Sequence, residues 1–235
     1  MALHDRRQIW WLLLITMVLA VAATALSGIV SAAGKPLEAW QRELRDAMLA
    51  TPDPARGEDL YAPCGACHGV DGRGVADGSV PVIAGQHYTI VVKQLVDYRH
   101  NRRWDIQMEH AAKMQHLAGG RDLADLGAFV AKLPRGFPAG IGNGENLGAG
   151  ARAYFERCEG CHGPLGEGDE AHGYPRIAGQ HYAYLYRQFF DAIEQRRPVM
   201  SALHLKLMSP LSREQITGIS DYLSRTSIEL THAPD

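Results

Sequence analysis

An all-α chain, built from two similar helical units behind an N-terminal hydrophobic helix, is the fold class this sequence predicts. Three observations predict it: apolar residues recur at helical spacing, one block of sequence returns 94 residues later, from Cys64 to Cys158, and nothing alternates strands with helices as a doubly wound sheet would. The composition agrees. A chain of 235 residues with net charge -2, 46% hydrophobic and 21% charged, describes globular protein and excludes a long disordered polymer. Without a basic excess it gives no support to a nucleic-acid partner.

In chain order, His4-Asp5-Arg6-Arg7-Gln8 precedes an apolar stretch from Ile9 to Val30, interrupted only by small hydroxyl residues and Gly28. Its 22 residues are enough to cross a hydrocarbon layer, and the two arginines favour a cytoplasmic N-terminus. Residues 1–33 therefore read as a membrane anchor, with Ser31-Ala32-Ala33 leaving a cleaved signal segment as the alternative. The expected location is the inner membrane with the rest of the chain facing the periplasm, or the soluble periplasm after cleavage. Residues 34–54 form a stalk or linker, in which Leu37, Trp40, Leu44, Ala47 and Met48 mark an amphipathic helix over Pro36 to Leu49.

The first unit, 55–134, opens with a helical segment from Ala55 to Tyr61, passes a Gly-rich loop, and enters an apolar-periodic run from Tyr88 to Tyr98. Leu123, Leu126, Phe129 and Val130 give its last helix one apolar face. The connector 135–148 is rich in glycine with Pro138, residues that interrupt helix and permit tight turns. In the second unit, 149–235, the matching segments are Ala149 to Arg157, Tyr182 to Ile193, and a last helix with Ile216, Ile219, Tyr222 and Leu223 on one face. Ser212 followed by Gln215 is a capping-box signal for that helix.

The repeat is close in its loops. Pro81-Val82-Ile83-Ala84-Gly85-Gln86-His87-Tyr88 corresponds to Pro175-Arg176-Ile177-Ala178-Gly179-Gln180-His181-Tyr182, Gln94 to Gln188, and Arg102-Arg103 to Arg196-Arg197, all at 94 residues. The last helices match at 93, so one residue has been inserted or lost after about position 110.

Four cysteines allow three disulfide pairings, but they fall as Cys64-Gly65-Ala66-Cys67-His68 and Cys158-Glu159-Gly160-Cys161-His162. C-x-x-C-H is the signature of covalent haem c attachment. Two thioether links fix one porphyrin edge while the adjacent imidazole reaches the iron. The immediate histidine in both copies separates this pattern from a thioredoxin-like pair and from a zinc site. Cys64, Cys67 and His68, and then Cys158, Cys161 and His162, are thus the expected cofactor-binding residues for two covalently attached haem c groups. Each unit is small, and a large apolar cofactor adds the core area it lacks.

These motifs, with the P-x-I-A-G-Q loops and the terminal helices, make the chain resemble the cytochrome c4 family over Ala55 to Leu223. The resemblance implies tandem class I cytochrome c-like domains, periplasmic electron transport, and a backbone near Pro81 and Pro175 that orients the proximal histidines. It also implies redox protein partners as donor and acceptor, with a membrane respiratory complex or a dehydrogenase among them. Where that family places a distal Met seven residues before the Leu opening the last helical region, this sequence has His110 and His204. Their matched positions make them the expected distal metal ligands beside His68 and His162. Met108 and Met200 lie near the same region, and Met114 and Met208 repeat at 94 residues; these methionines remain the rival ligands. Arg102, Arg103, Arg196 and Arg197 are candidates for propionate pairing or for a solvated helix end. His87 and His181 read as packing and hydrogen-bonding residues.

The expected function is a dihaem c-type electron-transfer protein in a respiratory or redox chain. An electron-transfer subunit of a membrane oxidoreductase is a close variant. A haem enzyme is the alternative of a different class; it requires a displaceable iron ligand and a substrate pocket.

Overall fold

A computed structural model of the chain describes Met17 and residues 36–113, 117–136 and 140–227. Ten α-helices lie among them, with Asp169 and Tyr174 forming one isolated β-bridge. In chain order they are α1 (Ala39–Leu49), α2 (Pro54–His68), α3 (Tyr88–Arg99), α4 (Ile106–Ala112), α5 (Gly120–Lys132), α6 (Leu147–Arg157), α7 (Glu159–His162), α8 (Tyr182–Ile193), α9 (Ala202–Met208) and α10 (Arg213–Arg225).

The expectation of a membrane-spanning N-terminal helix, and with it the inner-membrane placement, is corrected here. Among the described residues no helix is long and apolar enough to cross a membrane. The longest, α2, has 15 residues, which span about 22 Å where the hydrocarbon layer needs about 30 Å. Apart from Met17, the stretch from Ile9 to Val30 lies outside the described residues.

Helix boundaries follow local chemistry. Asp53 caps α2 by accepting from the amides of Ala55 and Arg56, and Pro54 takes the first helical position, where a missing N–H costs nothing. The helix then continues through Pro63 to His68, well past the Tyr61 end that periodicity predicts, and Gly69 stops it at φ 77. The corresponding run in the second unit breaks at Cys158 into α6 and α7. The capping box at α10 is complete: Ser212 accepts from the Gln215 amide, and the Gln215 side chain accepts from the Ser212 amide.

In each unit the first and last helices cross, α2 on α5 and α6 on α10, and the middle helix packs beside the last, α3 on α5 and α8 on α10. Tyr61, Val92, Leu123, Leu126 and Val130 centre the first core. Tyr154, Leu185, Ile216, Ile219 and Leu223 centre the second. Helix α1 lies over the first unit against α3 and α5. It is fastened by Glu43 to Arg99 and His100, by the Tyr88 hydroxyl donating to the Ala47 carbonyl, and by Arg102 stacked 3.6 Å above Trp40.

Both crossings require glycine. A Cβ on Gly57 would stand 2.1 Å from the Asp125 carbonyl oxygen, and one on Gly150 would stand 1.9 Å from the Gly218 carbonyl carbon. These pairs, and Tyr61 with Tyr154, are related by 93 residues, not 94. The register change expected after position 110 therefore has a counterpart before the cysteines: the second unit has one more residue between its tyrosine and its first cysteine. Gly150→Ala is expected to lower stability by about 1–3 kcal/mol, the usual cost of overpacking. Thermal unfolding of the haem-loaded protein followed by circular dichroism measures it, with Gly148→Ala, where added bulk meets only a side-chain tip, as the tolerated control.

Candidate haem sites

His68 ends α2 and His162 ends α7, each followed by a glycine with positive φ that turns the chain away. The loop after each returns to bring a prolyl carbonyl to the imidazole. Nδ1–H of His68 donates to Pro81 O at 3.1 Å, and Nδ1–H of His162 donates to Pro175 O at 3.0 Å. This fixes the tautomer and leaves each Nε2 lone pair available to a metal. Burial lowers both imidazole pKa values, opposed by those carbonyl bonds, and so favours the neutral, ligating form. Tyr61 and Tyr154 brace the same turns by donating to the carbonyls of Gly69 and Gly163.

The return loops are held by their own repeat. Gly72 O accepts from the amides of Ile83 and Ala84, as Gly166 O does from Ile177 and Ala178. Gly85 at φ 60 and Gly179 at φ 63 turn the chain so that their amides reach Val130 O and Leu223 O on the last helices.

A cavity of about 220 Å³ opens beside His68 and Cys64. Its apolar wall includes Val82, Ile83, Ile90, Val91, Leu95, Leu126 and Val130, and Met108 from α4 reaches it. Its far side belongs to the second unit, with Pro175, Arg176, Gln180, Tyr184 and Arg197. In the second unit the His162 and His204 rings face one another with centroids 6.1 Å apart. Burial first, then His162 and Arg197, bring the His204 pKa down to about 4.

His110, expected as the partner of His204, is exposed on α4 and is absent from the cavity lining, whereas Met108 two residues earlier is part of it. Residues two apart on a helix do not share a face, which explains the exchange. Met200 lies before α9 with its sulfur 2.6 Å from Nδ1 of His204. Met208 is buried at the end of α9, and Met114 lies outside the described residues. His87 and His181 bond across the units: Nε2–H of His87 donates to Glu167 O at 2.9 Å, and that of His181 to Arg73 O at 2.8 Å.

Those two bonds are related by the repeat, and so is a tighter clasp. The Gln180 amide accepts from Val82 N at 2.9 Å and donates to Val82 O at 2.8 Å, while Gln86 does the same with Arg176 at 2.9 and 2.8 Å. Such reciprocity is the mark of an isologous, two-fold interface, here closed within one chain. Arg135 of the connector spans it, donating from Nε to Ala178 O and from Nη1 to Ala84 O, again equivalent positions.

The residues present fit haem in three respects. The neutral imidazoles of His68 and His162 offer Nε2, and the cavity is apolar where a porphyrin would lie. Among the described residues, buried guanidinium nitrogens also stand without a partner: Arg135 Nη2, Arg157 Nε, Arg176 Nε and Arg197 Nε. Burial, with a neighbouring arginine in each case, pulls Arg135 down to about 9 and Arg197 to about 10. Buried cations of this kind require anions, which propionates supply. Arg103 bridges Gln94, Tyr184 and Gln188 beside them. Arg102 and Arg196 instead pair with Asp97 and Asp191 on helices α3 and α8. The four cysteines form no disulfide with one another, and among the described residues no group of His, Cys, Asp and Glu could hold a metal ion by itself.

The Cytochrome c family model matches residues 54–134 and 148–227. Cytochrome c4 of Pseudomonas aeruginosa is 33% identical over 186 residues, covering 74% of this chain and 89% of that protein. The chain belongs to the cytochrome c4 family. The reduced cytochrome c4 of Pseudomonas stutzeri superposes with a TM-score of 0.66 at 26% identity, over 75% of this chain and all of that one. A thiosulfate dehydrogenase electron acceptor of Stutzerimonas stutzeri is 30% identical over 172 residues, covering 68% of this chain and 77% of that protein. Like other cytochromes c4, the chain comprises two tandem class I cytochrome c-like domains with two covalently bound c-type haems, and it is an electron-transfer protein acting with redox partners.

Gln180→Ala should strip the buried Val82 amide and carbonyl of their partner at a cost of about 1–3 kcal/mol. Calorimetry of the haem-loaded protein is expected to show a lower, broader transition as the units uncouple. Gln86→Ala, whose contacts are only half-buried, should cost less.

Proposed function

We propose that Cys64 and Cys67 hold one haem and Cys158 and Cys161 the other, with His68 and His162 as proximal ligands, in domains 55–134 and 149–235 joined by the connector 135–148. The observation that carries this reading is the repeated Nδ1–H bond from each histidine to a prolyl carbonyl, which aims Nε2 away from the loop. Haem iron supplies reversible one-electron chemistry. The protein residues position it: the carbonyls of Pro81 and Pro175 set ring orientation, the apolar wall excludes water, and Arg103, Arg176 and Arg197 provide cationic partners at the boundary between units. The partner is a dehydrogenase as electron donor, with a respiratory complex as acceptor. Its support is the likeness to a protein named as a thiosulfate dehydrogenase electron acceptor.

Material matured by an export-linked haem attachment system should contain two haems by pyridine haemochrome and by intact mass. Replacing Cys158 and Cys161 with Ser should remove one equivalent and leave the first spectrum intact; retention of two would overturn the assignment. Mixing the oxidised protein with thiosulfate dehydrogenase and thiosulfate should give ferrous spectra within the dehydrogenase turnover time. Reduction by dithionite alone would refute that donor and leave the haem sites standing.

A further inference from the structure

The distal sides of the two sites can be aligned by structure instead of by sequence separation. Short helices α4 and α9 each begin at a side-chain cap. Asp105 accepts from Met108 N at 3.0 Å, and Ser201 accepts from His204 N at 3.1 Å. Both caps lie three residues before the amide they hold. Counted from the caps, Met108 and His204 occupy the same position, the third residue of the helix, although they are 96 residues apart. His110, which matches His204 at 94 residues, falls two positions later and faces solvent.

Each of these two residues also points at the right place. Met108 lines the cavity that contains His68 and Cys64. The His204 ring faces the His162 ring at 6.1 Å between centroids and 41° between planes. Its Nδ1 lies against the Met200 sulfur, so Nε2 is the nitrogen left for coordination.

We infer that the two irons are ligated unequally, by His68 and Met108 in the first domain and by His162 and His204 in the second. This rests on the dihaem reading above and goes beyond it. Imidazole is the stronger donor and thioether raises the potential, so the first site is the better oxidant. An electron delivered to the second site passes to the first: one iron is oxidised and the other reduced by one electron, with no bond made or broken. The two halves of the repeat are then an entry and a resting place, not equivalent stores.

The oxidised two-haem protein should show one His/Met and one bis-imidazole signal in equal amount by low-temperature EPR and near-infrared magnetic circular dichroism. A redox titration should resolve two steps, the bis-imidazole haem reducing at the lower potential. His204→Met should convert the bis-imidazole signal to His/Met and bring the steps together, and Met108→His should bring them together from the other side. His110→Ala should change neither signal. Two His/Met signals, two bis-imidazole signals, or loss of a signal in His110→Ala would overturn the inference. The haem count separates the two claims. A count other than two defeats the dihaem reading, while a count of two with equal ligation defeats only this one.

Discussion

The hydrogen bond from the His68 and His162 imidazoles to a prolyl carbonyl is the constraint on which the rest of this structure depends. A histidine that follows two anchoring cysteines can swing about its side-chain torsions, and only an acceptor on its far nitrogen holds the near one on a fixed line. Here the acceptor comes from a loop that does nothing regular. Its conformation must therefore be imposed, by Gly72 and Gly166 carbonyls receiving paired amides and by positive-φ Gly85 and Gly179 docking on the last helices. Those helices are in turn positioned by the glycine crossings with α2 and α6. Imidazole orientation is thus set by backbone packing some distance away.

The same loop carries the joint between units. Five residues after each proline comes the glutamine whose amide clasps the other unit, and next to it the histidine that donates across. Site and interface share one segment, so displacement of one unit would pull on the carbonyl that orients the other's histidine. Val82 and Ala84 are nearly or fully buried, and a buried peptide group without a partner is costly. The clasp is accordingly as much a satisfaction of the loop backbone as an adhesive between domains. The guanidinium groups nearby require anions for the same reason, which the propionates of a haem held there would supply.

Much of this is legible in the sequence. The attachment motifs are local, the P-x-I-A-G-Q blocks repeat without a gap, and the faces of α3, α5, α8 and α10 follow helical period. What escapes is whatever depends on register between elements. Tyr154 and Gly150 sit one residue out of step with the loops because α6 ends at Cys158 where α2 runs on through Pro63. His110 and His204 agree by counting along the chain but not by helix position, since Asp105 and Ser201 start their helices at different points. The cross-unit roles of Gln86, Gln180, His87 and His181 are equally hidden, because a repeat announces that residues are equivalent without saying that they meet. The N-terminal apolar run is a strong one-dimensional signal, yet the helices described here are too short or too polar to span a bilayer.

Arg135 has a further consequence. A chain folded from two copies of one unit crosses its own two-fold axis once, so whatever sits there exists in a single copy. Arg135 meets the equivalent carbonyls of Ala178 and Ala84 with chemically different nitrogens, Nε at 2.7 Å and Nη1 at 3.0 Å. In this orientation the guanidinium does not serve both alike, since it uses Nε and one Nη instead of its two equivalent Nη groups. The covalent link that makes the pair intramolecular therefore also makes its halves inequivalent, and two sites with the same motif need not share the same electrostatic surroundings.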